Sequence, residues 1–358
     1  PDISVIVPTF NEQDNVALLL EKIDAVLTGV AWEVIFVDDD STDRTLQVLQ
    51  ELARKDVRVR YIHRVQRRGL SSAVVEGLMS SSAPYLAVMD ADLQHDESVL
   101  PAMLAKLRSG EADVVIGSRY VDGGGVGDWE GTRQSYSKFA TNLAKTFLKV
   151  DVSDPMSGFF ALTREALAGS VRKLSLRGYK ILLDILASAS KPLRVVELPF
   201  QFRTRVAGES KLDSLVALEF LEMLLDKTVG RVIPTRFIMF MAVGGAGVVV
   251  HMAILSAAMF GFGREFLVAQ TIATTIAIAF NFFVNNVLTY RDKRIKGFWP
   301  TVRGLATFYA VCAFGATANV GIANYMFSMH TEWWMAAIAG ILVGAVWNFA
   351  ASKVFTWR

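Results

Sequence analysis

The sequence predicts two parts of different fold class: an α/β domain with a mainly parallel sheet, and after it an all-α membrane domain of four transmembrane helices. Three observations lead to this division. Short apolar runs alternate with helical patterns up to about residue 117, and four long stretches without Asp, Glu, Lys or Arg lie beyond residue 236. The charge also divides, since residues 236–358 carry nine basic and three acidic side chains, a net +6, whereas residues 1–235 carry 28 and 32, a net −4.

Composition excludes several classes of protein. A hydrophobic content of 52% is too high for a disordered chain and for an ordinary soluble enzyme. The formal net charge is only +2, and the second part is only weakly basic while the first is slightly acidic, so no nucleic-acid partner is expected. The lipid bilayer is the expected partner of the second part.

The first part shows repeating β and α units. Strands are predicted at 4–7, 33–37, 59–63, 85–89 and 114–117, and helices are predicted to begin at Asn15, Thr42, Leu70 and Ser98. This alternation is typical of a mainly parallel sheet with helices on both faces. Because ligands of such sheets bind beyond the carboxyl ends of the strands, the polar clusters at those ends are the candidate functional residues.

Polar clusters follow the first two predicted strands. Pro8-Thr9-Phe10-Asn11-Glu12 follows the first strand, and the second strand runs into three consecutive carboxylates, Asp38-Asp39-Asp40. A helix start is the simplest explanation of such a cluster, but it needs only one capping side chain. A carboxylate at this edge is well placed to accept hydrogen bonds from a nucleobase or a ribose.

The fourth predicted strand runs into Asp90-Ala91-Asp92-Leu93-Gln94-His95. On an extended segment, the i, i+2, i+4 spacing places Asp90, Asp92 and Gln94 on one side. Oxygen ligands favour Mg²⁺ or Mn²⁺, and such a site keeps open positions that a diphosphate can fill. An isolated Asp-x-Asp is equally consistent with a turn, so its place after the fourth strand is what indicates a metal site.

Four stretches of the second part are long and apolar enough to cross a membrane. Each reaches the roughly 20 residues needed for a hydrocarbon core of about 30 Å. Buried helices of a large soluble domain are the alternative, but four such runs in succession would leave no polar face for solvent. We therefore predict an integral multi-pass membrane protein with helices at about 237–260, 266–290, 304–327 and 334–354.

The connections between these helices differ in charge. The middle connection, 291–303, carries five Lys or Arg residues, and the other two carry one between them. Because basic loops stay on the cytoplasmic side, this connection, the N-terminal domain and the C-terminus are predicted to be cytoplasmic.

A pattern in the second predicted helix recurs in the fourth. The pattern consists of Asn281-Phe282 and the segment 287–291, and it recurs 67 residues later as Asn348-Phe349 and the segment 354–358. This repetition indicates a duplicated two-helix unit. For Asn281 and Asn348, hydrogen bonding between helices and contact with a lipid headgroup both remain open. The arrangement resembles the small four-helix GtrA-like membrane family, which is associated with the handling of polyprenyl-linked sugars.

An amphipathic helix is predicted between the two parts. We place the boundaries at 1–212 for the first domain, 213–235 for this linker and 236–358 for the membrane domain. The helix either packs on the first domain or lies at the membrane interface, and the sequence supports both alternatives equally.

The clusters of the first part are four motifs in a fixed order. They are Val7-Pro8-Thr9-Phe10-Asn11-Glu12, Val37-Asp38-Asp39-Asp40-Ser41-Thr42-Asp43-Arg44-Thr45, Gly69-Leu70-Ser71-Ser72-Ala73 and Asp90-Ala91-Asp92-Leu93-Gln94-His95. Together they resemble glycosyltransferase family 2 with a GT-A (Rossmann-like) fold. Segments 117–129 and 203–212 are similar to the dolichyl (polyprenyl) phosphate mannose synthases. The resemblance spans residues 3–225 and implies an inverting, metal-dependent transfer of mannose from GDP-mannose to a dolichyl or polyprenyl monophosphate on the cytoplasmic membrane face.

The resemblance also implies roles for individual residues. It places Asp90 and Ala91 beside the ribose and diphosphate, with Asp90, Asp92 and Gln94 at a Mg²⁺ or Mn²⁺ ion. Phe10 departs from the tyrosine often found in the family, which keeps stacking and loses a phenolic hydrogen bond. The residues implied for the nucleoside are Pro8, Phe10, Glu12, Val37 and Asp39, and those implied for the acceptor phosphate are Arg119, Arg133 and Ser137. Arg203 and Lys211, on either side of the 204–210 loop, are implied to hold substrate phosphates.

The implied reaction is chemically consistent with these residues. A lipid phosphate is already anionic at pH 7, so it needs cations to bring it to a second anionic substrate rather than a side-chain base. The sugar pocket is not readable from the motifs, so UDP-glucose or another nucleotide sugar with the same lipid acceptor remains an alternative. A translocator of lipid-linked sugars is the alternative from a different class, although the helices offer almost no intramembrane charge.

Overall fold

The computed structural model divides the chain into two compact units, Pro1–Arg231 and Val232–Arg358. It describes residues 1–125, 151–175, 180–203, 233–330 and 332–357, and a few residues between 222 and 230. The first unit is built on a β-sheet, and the described part of the second unit is helical.

A seven-stranded mixed sheet forms the first unit, in the order β3-β2-β1-β4-β6-β5-β7. β6 runs antiparallel to β4 and β5, and the other four described pairings are parallel. The strands are β1 (Ile3–Thr9), β2 (Trp32–Asp38), β3 (Val59–His63), β4 (Tyr85–Val88), β5 (Val114–Ser118), β6 (Phe160–Thr163) and β7 (Val195–Pro199). The five predicted strands are present, and the sheet is mixed because β6 enters it between β4 and β5. β7 was not predicted, since its half-buried residues give a weak apolar signal.

Helices cover both faces of this sheet. They are α1 (Val16–Val26), α2 (Thr45–Lys55), α3 (Leu70–Ser80), α4 (Leu100–Arg108), α5 (Arg164–Ser170) and α6 (Ile181–Ser188). Val5 and Val7 of β1 enter one core with α1 and α4, and Ile6 enters a second core with α3 and α6. Because both faces are buried, β1 and β2 are buried along their whole length, which explains why most of their residues are apolar.

The end of the predicted linker helix packs on the first unit. Leu224 is 4% exposed, and the Lys227 ammonium lies 2.6 Å from the Asp184 carboxylate of α6. It also donates to the Lys173 carbonyl and the Ser188 hydroxyl, each at 2.6 Å. For this end of the helix, packing on the first domain is therefore the alternative that the contacts favour. Residues 213–221 lie outside the described residues.

Four long helices make up the described part of the second unit. They are α7 (Thr235–Ser256), which continues into a π-helical turn at Ala257–Gly261, α8 (Phe266–Val287), α9 (Phe298–Ser328) and α10 (Trp333–Phe355). α7 packs on α8, and α9 packs on α10. Within the described residues, two stretches are long and apolar enough to cross a membrane, Thr235–Gly261 and Val268–Val287. Exposed apolar side chains such as Val249 and Phe260, 69% and 83% exposed, suit lipid rather than water.

The structure relates the two helix pairs as the duplicated pattern predicts. A Cβ added at Gly247 of α7 would overlap the amide oxygen of Asn281 on α8, and one added at Gly315 of α9 would overlap that of Asn348 on α10. Among the residues that the structure describes, neither buried amide oxygen has a hydrogen-bond partner, so each lies against a glycine of the facing helix without bonding to that helix.

The C-terminal ends of the two repeats pack together through aromatic rings. The rings of Tyr290 and Trp357, equivalent positions of the two repeats, stack with centroids 4.2 Å apart and an interplanar angle of 4°. The Trp357 indole donates a hydrogen bond to the amide oxygen of Asn286 at 3.0 Å. The equivalent C-terminal ends of the two repeats are therefore packed against each other.

Candidate active site

Some carboxylates of the predicted site shape the turn after β2. Asp38 accepts hydrogen bonds from the Ser41 backbone N–H at 3.0 Å and from its hydroxyl at 2.5 Å. Asp43 accepts from the Thr45 N–H at 2.9 Å and from its hydroxyl at 2.6 Å. Asp38 therefore shapes the turn and Asp43 the start of α2, which begins at Thr45, three residues beyond the predicted Thr42.

Asp39 has its partners on the loop between β3 and α3. Its carboxylate accepts a hydrogen bond from the Gly69 N–H at 2.6 Å and forms an ion pair with Arg64. The Arg64 side chain is 4% exposed and donates to the Ser72 hydroxyl at 2.7 Å. The Asp39 side chain, 12% exposed, is thereby fixed at the carboxyl end of the sheet. Sequence reasoning missed Arg64 because its partner comes from another strand end.

Phe10 and Glu12 follow β1 at the same edge. The Arg68 guanidinium carbon lies 4.2 Å from the centroid of the Phe10 ring, a cation–π arrangement. Glu12 accepts a hydrogen bond from the Asn15 amide at 2.8 Å, and its backbone N–H donates to the Thr45 hydroxyl at 2.8 Å. Sequence reasoning missed Arg68, since one arginine in a polar loop carries no signal of its own.

The other residues predicted at the nucleoside are buried. Pro8 and Val37 lie opposite each other in β1 and β2. The Val37 side chain is fully buried and approaches Gly77 of α3, so only its backbone can line a pocket at this edge. Ala91 is 3% exposed and follows β4.

The three predicted metal ligands follow β4. The Asp90 side chain is 37% exposed, and Asp92 is buried, with Oδ1 accepting from the Gln94 N–H at 3.2 Å. The Gln94 amide nitrogen donates to the Arg203 carbonyl at 3.0 Å. A Cβ added at Gly158 would lie 3.0 Å from Oδ2 of Asp90, so this glycine leaves the room that the carboxylate needs.

The chemistry of this donor set suits a hard divalent cation. Across the part of the chain that the structure describes, no cluster of three or more His, Cys, Asp or Glu side chains could hold a metal ion. The predicted set has two carboxylates and an amide oxygen. Mg²⁺ needs only one or two protein carboxylates, because waters and substrate phosphates fill its other positions. The residues present therefore fit an ion held jointly by the chain and a diphosphate.

His95 positions Asp90 through its backbone. Nδ1 of His95 accepts a hydrogen bond from the Asp90 N–H at 3.1 Å. The ring is 3% exposed and stacks on Phe159 with centroids 5.2 Å apart, while Phe200 and Phe202 meet it edge-on. Burial lowers the pKa of His95 to about 4, so the imidazole is neutral at pH 7. Sequence reasoning assigned His95 no chemistry, because its partner is a backbone group.

Arg119 lies in a buried ion pair. Its Nε and Nη2 donate to the two carboxylate oxygens of Asp154 at 2.7 and 2.8 Å, and its backbone N–H donates to the same carboxylate at 3.1 Å. The Arg119 and Asp154 side chains are 8% and 0% exposed. Burial opposes the cation, but Asp154 outweighs it and raises the pKa of Arg119. An acceptor phosphate would therefore meet a guanidinium that Asp154 already orients.

Arg203 is tied to the segment that follows the predicted metal ligands. Its guanidinium donates to Glu97 at 2.6 Å and to Asp96 at 2.8 Å, and its backbone N–H donates to the Gln94 carbonyl at 2.9 Å. Burial opposes the charged form of Glu97, but a backbone hydrogen bond, Arg203 and Lys22 together lower its pKa. Arg203 can hold a phosphate only by exchanging these carboxylates for phosphate oxygens, so that role stays a prediction.

The remaining predicted site residues are Arg133, Ser137 and Lys211. They lie outside the described residues, as does the 204–210 loop. The predicted nucleoside and metal residues that are described do share one edge of the sheet, because β1, β2 and β4 are parallel and each cluster follows a carboxyl end.

Comparison with known proteins finds two families in this chain. Residues 4–169 match the model of glycosyl transferase family 2, and residues 239–357 match that of the GtrA/DPMS transmembrane domain. The dolichol-phosphate mannosyltransferase of Pyrococcus furiosus is 36% identical over 360 residues, which cover 99% of this chain and 99% of that protein. The dolichol-phosphate mannosyltransferase of Saccharomyces cerevisiae is 35% identical over 246 residues, which cover 66% of this chain and 91% of that protein.

A solved structure supports the fold of the first unit. Glucosyl-3-phosphoglycerate synthase from Mycobacterium tuberculosis, in complex with Mn²⁺, UDP and glucosyl-3-phosphoglycerate, is 21% identical and superposes with a TM-score of 0.50. The match covers 63% of this chain and 80% of that one. At this identity the likeness extends to the fold of the sheet domain.

Proposed function

The chain belongs to the dolichol-phosphate mannosyltransferase family, with a family 2 glycosyl transferase domain and a GtrA/DPMS transmembrane domain, and we propose that it uses GDP-mannose as donor and a divalent cation as cofactor. Membership makes it a membrane glycosyltransferase that transfers mannose to a polyprenyl phosphate. The proposal adds the identity of the donor nucleotide, the identity of the cation as Mg²⁺ or Mn²⁺, and the side of the membrane on which transfer takes place.

The observation that carries the proposal is the donor set after β4. Asp90, Asp92 and Gln94 present oxygen atoms beside the edge where Asp39 and Phe10 lie, and a nucleoside diphosphate needs these two environments next to each other. The Mycobacterium tuberculosis synthase of similar fold is described in complex with Mn²⁺ and UDP, which is consistent with a metal at this edge.

The reaction we propose needs no side-chain base. A phosphate oxygen of the acceptor attacks the anomeric carbon of mannose while the bond from that carbon to the diphosphate breaks, so the sugar configuration is inverted. When bound, the cation neutralises the negative charge that develops on the leaving diphosphate. The chain's own part is to orient two anionic substrates, and Asp154 fixes the Arg119 guanidinium for that purpose.

Four cations are the proposed phosphate ligands. Asp154 orients Arg119, Asp96 and Glu97 hold Arg203, and Arg133 and Lys211 complete the set. Arg203 is the more accessible of the described pair, with 38% of its side chain exposed. Exchange of Asp96 and Glu97 for phosphate oxygens is therefore the response that we propose for this side chain.

The proposed topology puts the donor site on the cytoplasmic side with four membrane spans. Arg291 and Lys293, in the short connection after α8, belong to the basic 291–303 connection. By the positive-inside rule this connection stays in the cytoplasm, and an even number of spans brings the C-terminus to the same side. The exposed apolar side chains of α7 and of its π-helical turn support contact with lipid.

A panel of nucleotide sugars tests the donor. The full-length protein is purified in detergent and given Mg²⁺, a polyprenyl monophosphate and, separately, labelled GDP-mannose, UDP-glucose, UDP-galactose and GDP-glucose. We expect a glycolipid from GDP-mannose at a kcat/KM at least about a hundredfold above that of any UDP-sugar. Faster transfer from UDP-glucose would overturn the proposed donor and leave the family assignment intact.

A further inference from the structure

Arg68 is a charged side chain at the donor edge that the proposed chemistry does not use. It is exposed, and its guanidinium lies over the Phe10 ring, 4.2 Å from guanidinium carbon to ring centroid. Its loop turns back over the end of β1 through left-handed backbone at Gln66 and Gly69, with φ of 56° and 137°.

The 4.2 Å separation leaves no space for a base between Phe10 and Arg68. Two stacked planes around a nucleobase would be separated by about 7 Å, twice an ordinary carbon contact distance. When a base stacks on Phe10, the guanidinium must therefore leave the ring face. As a long, exposed side chain, Arg68 can move to the edge of the base at little cost.

Asp39 provides a fixed acceptor next to this position. Gly69, the residue after Arg68, donates its N–H to Asp39 at 2.6 Å, so the backbone next to Arg68 is bound to this carboxylate. Arg64 pairs with the same carboxylate and is itself held by Ser72 at 2.7 Å. An ionised carboxylate has about four lone-pair sites, so two bonds within the protein leave acceptor capacity for a ligand.

We infer that Arg68 selects guanine at the donor site, by donating to O6 and N7 of a base that stacks on Phe10 while Asp39 accepts from N1–H and the N2 amino group. Along its edge, guanine presents two donors followed by two acceptors, which matches a carboxylate followed by a guanidinium. Uracil has one N–H between two carbonyl oxygens, and adenine has an amino group where guanine has O6. Either base would leave Arg68 without its pair of acceptors or Asp39 without its pair of donors.

The inference rests on the proposed donor and makes it specific. A bidentate arginine–guanine contact discriminates by about tenfold to a hundredfold, whereas stacking on an aromatic ring favours every base. Arg68 is therefore the residue whose removal should change the choice of nucleotide, and Phe10 the residue whose removal should weaken all nucleotides together.

Equilibrium binding to the full-length protein in detergent tests the inference. Kd is measured for GDP, UDP and 7-deaza-GDP, which lacks the N7 acceptor, in the native chain, in Arg68→Ala and in Arg67→Ala. Arg67 is the matched control, because it pairs with Glu76 at 2.9 and 3.0 Å on the exposed face of α3. Thermal unfolding of each variant checks that the fold is retained.

We expect Arg68→Ala to weaken GDP by about tenfold to a hundredfold and UDP by less than about twofold, with Arg67→Ala unchanged. The native chain should bind 7-deaza-GDP more weakly than GDP, and Arg68→Ala should bind the two equally. Equal weakening of GDP and UDP, or a 7-deaza penalty that survives in Arg68→Ala, would overturn the role of Arg68. A native chain that prefers UDP would instead overturn the proposed donor.

Discussion

Neighbouring carboxylates at the carboxyl end of the sheet differ in their partners. Asp38 bonds to its own turn through Ser41, whereas Asp39 reaches Arg64 and Gly69 on another loop. Asp40 adopts a left-handed φ of 58°, and a hydrogen bond with His63 at 3.1 Å is the main reason that its pKa is lowered. At the residue scale, the local partner decides whether a carboxylate shapes a turn or remains available to a ligand.

Asp92 is the carboxylate whose loss should affect chemistry most. Asp92→Ala removes a proposed metal ligand, so we expect kcat/KM to fall at least about a hundredfold and Mn²⁺ binding to weaken in parallel. Asp113→Ala is the control, because Asp113 precedes β5 at the opposite edge and pairs with the exposed Arg194. Glycolipid formation and Mn²⁺ titration are measured on both. Full activity in Asp92→Ala would remove Asp92 from the metal site.

His95 should make stability depend on pH. Its folded pKa of about 4 lies below the ordinary value of 6.5, so between these values the unfolded chain binds a proton that the folded chain does not. The free energy of unfolding should therefore decrease as pH falls from about 6.5 towards 4, by up to about 3 kcal/mol.

His95→Phe keeps the stacking on Phe159 and removes both the titrating group and the acceptor for the Asp90 N–H. At pH 7 we expect a loss of about 1–3 kcal/mol, because a buried N–H is left unpaired. Thermal unfolding of both proteins at pH 7 and pH 5 should show a smaller pH effect in the variant. Equal pH effects would contradict the neutral, buried state of His95.

The sequence predicts site residues where a motif is local and misses those whose partner is distant along the chain. Asp90, Asp92 and Gln94 lie within five consecutive residues, and their spacing alone was enough to predict them as metal ligands. Arg64 reaches Asp39 across 25 residues, and His95 binds a backbone N–H, so neither leaves a pattern in the sequence. The pairing of Arg119 with Asp154 is equally invisible, since only the folded sheet brings β5 beside the segment before β6.

At the scale of elements, the two helix pairs of the second unit repeat one packing device. Gly247 faces Asn281 in the first pair, and Gly315 faces Asn348 in the second. The absence of a Cβ lets the amide lie directly against the facing backbone, which small residues commonly permit between membrane helices. The duplication predicted from sequence thus has a structural counterpart, but the glycine–asparagine contact was not predicted.

Alanine at these glycines should destabilise the membrane domain. The added Cβ at Gly247 or Gly315 would overlap the facing amide oxygen, so each substitution should cost about 1–3 kcal/mol. Gly244→Ala is the matched control in α7, because a Cβ there meets no atom within 4 Å. Melting temperatures in detergent are compared. Equal losses for Gly244→Ala and Gly247→Ala would contradict the proposed contact.

The buried pair of Lys227 and Asp184 should stabilise the packing of the linker helix on α6. Their side chains are 10% and 1% exposed, so Lys227→Met leaves a buried carboxylate without its cation and should cost about 3–5 kcal/mol. Arg194→Met breaks an exposed pair with Asp113, 62% and 24% exposed, and should cost less than about 1 kcal/mol. Chemical denaturation compares the two. A cost for Lys227→Met no larger than for Arg194→Met would argue against the role of this pair.

At the scale of the whole molecule, the opposite net charges of the two parts correspond to two units of different chemistry. The sheet unit carries the acidic residues that suit a metal and a nucleoside, and the helical unit exposes apolar side chains that suit lipid. Composition was sufficient to predict this division. The mixed sheet was not predictable, because an antiparallel β6 between β4 and β5 depends on long-range pairing rather than on local pattern.

The central claim is that the acceptor is a lipid phosphate and that its phosphate oxygen is the nucleophile. The most direct measurement gives the full-length protein in liposomes GDP-mannose, Mg²⁺ and either a polyprenyl monophosphate or the corresponding polyprenol, followed by mass spectrometry of the lipids. We predict polyprenyl phosphate mannose from the first acceptor and no product from the second. Transfer to the polyprenol, or no mannosylated lipid from the phosphate, would contradict the account.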